Sequence, residues 1–130
     1  MPVTYRFDRE FSLIRTMCTG DVTFAEVVSH FRELERDATL PARLDVLLDL
    51  TEMRSVPESD QLRSVAREVE HLQQRLEWGS CAIVASSDVL YGMSRILRVY
   101  AEAHFVNSNV FRELEEAERW LASHRSPATR

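Results

Sequence analysis

The 130-residue chain is 45% hydrophobic and 28% charged, the size and balance of one globular domain around one core. Sixteen basic residues against 21 acidic ones leave a formal net charge of -5, which argues against a broad electropositive face for nucleic acid or anionic lipid. Every basic residue is Arg, so neither Schiff-base chemistry on a lysine nor a phosphate loop of the Gly-Lys-Ser/Thr type is available.

Val3, Tyr5 and Phe7 alternate with Thr4 and Arg6, the period of a half-buried strand, and a second apolar stretch from Phe11 to Cys18 predicts its hairpin mate. Phe24, Val27, Val28, Phe31 and Leu34 then recur at steps of three and four behind Thr23-x-x-Glu26, a capping-box spacing that predicts a helix over 24–36. After Pro41, the short run Val46-Leu47-Leu48 with Leu50 reads as a central strand covered on both faces. A second helix is expected behind Ser55-x-x-Glu58, with Pro57 in its first turn, Leu62, Val65, Val69, Leu72 and Leu76 inward, and Gly79 as its stop after Trp78. Cys81 to Ala85 reads as the next buried strand. Ser86-Ser87-Asp88 caps a third helix that turns Val89, Met93, Ile96, Leu97 and Tyr100 inward, Phe105 to Phe111 forms a last strand, and Leu114, Ala117 and Leu121 mark a last helix. The order predicts a mostly parallel sheet with an antiparallel N-terminal edge hairpin, the strands placed sequentially. One domain is expected over 1–125, with 126–130 as a flexible tail.

The N-terminus lacks the continuous apolar core of a secretory signal, and no stretch approaches the ~20 apolar residues of a membrane span. A soluble, cytoplasmic protein without membrane insertion is therefore expected. Cys18 and Cys81 sit alone in apolar segments, as reduced buried thiols would.

Chemistry is sparse. His30, His71, His104 and His124 have no metal-ligand spacing, and with three glycines no dinucleotide fingerprint can be assembled. No metal or cofactor is expected. Ser87 stands where a strand-end nucleophile could be exposed, but no histidine base is placed to serve it, and capping is the simpler role. Asp49 is the most suggestive carboxylate. It closes the central strand at the carboxyl edge, where ligands of open α/β sheets bind, although bonding to its own loop is the simpler account. Arg95 could hold a carboxylate or phosphate. Gly92, costly in a helix, suggests close packing of a backbone or small ligand, and Tyr91, Met93, Tyr100 and Phe105 could line an apolar pocket beside it.

The strand Val46-Leu47-Leu48-Asp49-Leu50, the stretch Gly92-Met93-Ser94-Arg95 and the closing run Phe111 to Leu121 resemble the SpoIIAA-like proteins, relatives of STAS (anti-sigma factor antagonist) domains also grouped with SEC14-like folds. The resemblance spans nearly the whole chain. It implies an α/β fold with a five-stranded, mostly parallel mixed sheet and four helices, and binding rather than catalysis. In STAS regulators the loop after the central strand carries an Asp-Ser-Ser-Gly-like motif whose serine a partner kinase phosphorylates. Here Ser59 is present, but Asp60 stands where a second serine would fall and Gln61 replaces the glycine. Glu58 and Asp60 already supply the negative charge that a helix N-terminus favours, so a fixed acidic loop is the simpler expectation.

Together these readings predict a non-enzymatic regulatory module that contacts a protein partner through Asp49, Ser55, Glu58, Ser59 and Asp60. The rival is a SEC14-like carrier of a small apolar or lipid ligand near Tyr91, Gly92, Met93, Arg95, Tyr100 and Phe105. The balance leans slightly to a homodimer, paired along the alternating edge from Val3 to Phe7.

Overall fold

The computed structural model describes residues 2–124, so the tail expected over 126–130 lies outside it. In chain order the elements are β1 (Val3–Asp8), β2 (Leu13–Gly20), α1 (Phe24–Arg36), β3 (Arg43–Met53), α2 (Ser59–Leu72), β4 (Glu77–Val84), α3 (Asp88–Ala101), a 3-10 turn (Glu102–His104), β5 (Asn107–Phe111) and α4 (Leu114–Ser123). The five strands form one sheet in sequential order, with β1 antiparallel to β2 and all other neighbours parallel. The expected order and edge hairpin are both present.

Sequential order has a consequence for the layers. Each parallel strand is added on the same side of the last, so crossovers of one hand bring α1, α2 and α3 to the same face of the sheet. Side chains alternate along each strand, and the two faces separate cleanly. Ile14, Cys18, Leu50, Cys81 and Ile83 pack toward α1, α2 and α3, whereas Leu13, Leu47, Ala82 and Val84 pack against Ala117 and Leu121 of α4. The strand from Val46 to Leu50 is central and covered on both faces, as its apolar residues Val46, Leu47, Leu48 and Leu50 require.

Helix starts follow local chemistry. Thr23 caps α1, its Oγ1 accepting from Glu26 N at 3.2 Å while Glu26 Oε1 accepts from Thr23 N at 2.8 Å. Ser87 caps α3 by accepting from Leu90 N. The expected start of α2 is corrected. The helix begins at Ser59 with Glu58 as its N-cap, and Gln61 Oε1 accepts from Glu58 N at 2.9 Å. A start at Ser55 would demand helical backbone at Val56, which the following Pro57 disfavours. Ser55 Oγ instead accepts from Val22 N at 2.8 Å, tying the loop before α2 to the loop before α1.

The end of α2 is corrected too. It stops at Leu72, and Trp78 and Gly79 belong to β4. Leu72 and Leu76 keep a four-residue interval across a turn that is no longer α-helix, so periodicity alone carries the helix too far. Trp78 reaches back, donating from Nε1 to Val69 O at 2.9 Å. β5 starts at Asn107 rather than Phe105, because the 3-10 turn intervenes. Three apolar positions assigned to buried helix stripes, Val89, Ile96 and Leu114, are exposed.

Candidate functional site

Between the sheet and its three-helix face lies a cavity of about 140 Å³. β2 and β3 supply Ile14, Thr16, Cys18, Val46, Leu48 and Leu50 to its wall, α1 supplies Val27, His30, Phe31 and Leu34, and α2 supplies Leu62, Val65 and Val69. Met93, Leu97, Arg98 and Ala101 of α3 close it with Trp78, Phe105 and Ser108. Val46 and Leu48 lie mid-sheet yet are only half-buried, because the cavity lies over them. The rings of Trp78 and Phe105, both in the wall, sit 5.6 Å apart. Close-packed interiors seldom leave such a space, and an apolar one of this size stays dry and admits a benzene-sized guest.

Polar groups in this wall are few. His30 is 7% exposed, with Nε2 3.3 Å from Thr16 Oγ1 and Nδ1 without a partner among the described residues. Tyr5 and Phe31 flank its ring, and burial pushes the imidazole down to about 4, so it is neutral at physiological pH. Burial pushes the Cys18 thiol up to about 11, with Asp49 adding to the shift, and the Cys81 thiol up to about 12, with Asp45 adding. Both cysteines are free and buried and remain protonated apolar wall rather than nucleophiles. Arg98 is half-buried and donates from Nε to Ser108 Oγ at 3.3 Å.

The pocket residues expected from sequence divide. Met93 and Phe105 line the cavity; Tyr91, Gly92, Arg95 and Tyr100 do not. Tyr91 faces Arg112, whose guanidinium lies 4.3 Å from the ring centroid, and Arg63 covers Tyr100 at 5.2 Å. The close packing expected at Gly92 is corrected: a Cβ there would meet nothing within 4 Å, and the residue faces solvent. Arg95 is exposed on the same outer side of α3. The sequence reading missed His30 and Thr16. A signal for His30 existed, since it falls between Val27 and Leu34 on the apolar side of α1, next to Phe31.

The residues expected to form a contact surface also divide. Asp49 is buried within β3 rather than closing the strand, and its Oδ1 accepts from Thr51 N at 2.9 Å and Thr51 Oγ1 at 2.7 Å. By alternation it shares the sheet face of Leu47, opposite the cavity. Ser55 is held by Val22. Glu58, Ser59 and Asp60 are exposed together at the start of α2. Pro57 and Leu62, on either side of them, line the cavity.

No protein-family model and no curated protein matches the sequence. Among solved structures, an uncharacterized DUF3478-family protein from Shewanella loihica PV-4, described as having a SpoIIAA-like fold, aligns over 92% of this chain and 91% of its own, with a TM-score of 0.61 at 14% identity. The fold is SpoIIAA-like. The five-stranded mixed sheet and four helices expected from the resemblance are present, and no helix among the described residues is long and apolar enough to cross a membrane.

On this SpoIIAA-like frame Ser59 is the first residue of α2, with no hydrogen bond to its hydroxyl among the described residues. Neither Ser55 nor Ser59 caps the helix. Ser59→Ala should therefore change unfolding free energy by less than about 0.5 kcal/mol, as urea titration of both proteins would show. A larger loss would mean that the hydroxyl supports the helix start.

Proposed function

We propose that this SpoIIAA-like protein is a binding module that holds a small apolar molecule in the cavity between its sheet and helices α1 to α3. The observation that carries this reading is the cavity itself, about 140 Å³ and walled almost entirely by aliphatic and aromatic side chains. A guest of benzene to indole size suits that volume. His30 Nδ1, buried and without a partner among the described residues, offers one polar contact for orientation.

The exposed acidic start of α2 supports a second role, contact with a protein partner through Glu58, Ser59 and Asp60. Pro57 and Leu62 of the same segment line the cavity, so an occupied cavity would press from inside on the surface that a partner meets from outside. Such a protein acts by reporting ligand occupancy rather than by turnover.

Calorimetry with benzene and indole as probes tests the ligand site. At ten times the dissociation constant the melting temperature should rise by about 4 °C. Ala101→Phe, which places a ring in the cavity, should abolish the rise while remaining folded. If neither probe shifts melting and native mass spectrometry of protein purified from its own cells shows only the bare chain, the ligand-holding role is wrong and the acidic surface alone remains.

A further inference from the structure

The apolar cavity has one polar corner. With His30 neutral, Arg98 is the only charged side chain in the wall among the described residues, and no Asp or Glu lines the space. Arg98 donates from Nε to Ser108 Oγ at 3.3 Å, whereas its two terminal nitrogens have no hydrogen-bond or ion-pair partner among the described residues. Ser108 Oγ accepts that bond, and its own proton likewise has no acceptor there. The corner thus holds donors only. A guest that covered it without supplying an acceptor would leave those donors unsatisfied.

Arg98, Phe105 and Ser108 also line a polar depression outside the cavity, which reaches Glu102 and Asn107. The apolar space therefore meets a wetter rim at this corner. A charge placed there keeps part of its hydration, which lowers the cost of burying it. Leu97 and Ala101, on either side of Arg98 along α3, are cavity wall, so the apolar and charged contacts sit side by side.

We infer that the guest is a small aromatic carboxylate, its ring in the cavity and its carboxylate accepting from Nη1 and Nη2 of Arg98, with Ser108 Oγ as a further donor. The inference rests on the cavity-binding role proposed above and adds the charge of the ligand. A guanidinium with both terminal nitrogens unpartnered matches a planar carboxylate bidentately. A phosphoryl group fits less well. Its second negative charge would meet exposed Glu102 on the rim and the negative carbonyl end of α3. One ring with a short acid chain reaching the rim suits a cavity of about 140 Å³.

Calorimetry with toluene and phenylacetate, which share a ring and differ by the carboxylate, reads the inference as a ratio of affinities. At neutral pH the unaltered protein should bind phenylacetate about 10–100-fold more tightly than toluene, the size expected of charge-assisted hydrogen bonds. Phenethylammonium, with the opposite charge, should bind more weakly than toluene. Arg98→Met keeps an apolar stem and should bring the phenylacetate-to-toluene preference to one or below. Arg98→Lys, which keeps the charge without the fork, should retain a preference of about threefold. If toluene binds the unaltered protein as tightly as phenylacetate does, the carboxylate inference is overturned while the cavity-binding role stands. A preference that persists in Arg98→Met, with circular dichroism showing the variant folded, also overturns it, since the carboxylate then sits elsewhere. If neither compound binds, the cavity-binding role itself fails and this inference falls with it.

Discussion

Acidification from pH 7 to pH 4 should cost the native state about 3 kcal/mol through His30 alone. The imidazole is neutral in the fold because burial lowers its pKa from 6.5 to about 4, while in the unfolded chain it regains the ordinary value. Between those two values the unfolded state binds a proton that the native state does not. Stability therefore rises with pH across this window and is lost as pH falls from about 6.5 to about 4. Urea titrations of the wild type and His30→Phe at several pH values isolate the effect from the carboxylates, which both proteins share. The variant leaves the Thr16 hydroxyl without its partner, a cost present at every pH, so the diagnostic quantity is the difference in slope. Parallel profiles would mean that water reaches His30 and that the cavity wall is more open than its packing implies.

Gly79→Ala should destabilise the protein by about 2–4 kcal/mol, although it adds one methyl group. That methyl would fall on Asp45 Oδ1 and lie 3.3 Å from Leu44 O. Asp45 Oδ1 accepts from Ser80 N at 2.8 Å, where the register between β3 and β4 shifts between Leu44 and Val46. The carboxylate thus supplies a hydrogen bond to β4 at the irregularity, and only a glycine leaves room for it. Displacing it removes the partner of a buried N–H group as well as crowding the strand. The combined Asp45→Ala and Gly79→Ala variant should lose less than the sum of the two single losses, because both act on the same contact. Strict additivity in chemical denaturation would show that the glycine and the carboxylate are not coupled.

Gly79 also shows where local reading ends. After an apolar period a glycine is ordinarily a helix stop, and only Asp45, 34 positions earlier on a neighbouring strand, gives it a different reason. Gly92 is the mirror case. A glycine inside a helix suggests close packing, yet a Cβ here would meet nothing within 4 Å among the described residues, because the outer side of α3 faces away from the sheet. Ser55-x-x-Glu58 has the spacing of a capping box, but Val22 takes the serine and Pro57 excludes the early start.

The alternation in β1, the helical period behind Thr23 and the short apolar run Val46-Leu47-Leu48 of β3 are local signals, because each records how one segment divides its surface between water and core. From them the element types, the mostly parallel sheet and the edge hairpin follow from sequence alone. The cavity does not follow, since it is the volume left when three helices and five strands meet. The same apolar residues that would fill a tight core instead surround a space. Met93 and Phe105 were visible as apolar positions. That they share a cavity with His30, while Tyr91 and Tyr100 turn to Arg112 and Arg63, was decided by helix rotation and by distances between segments far apart in the chain, which tertiary packing alone sets.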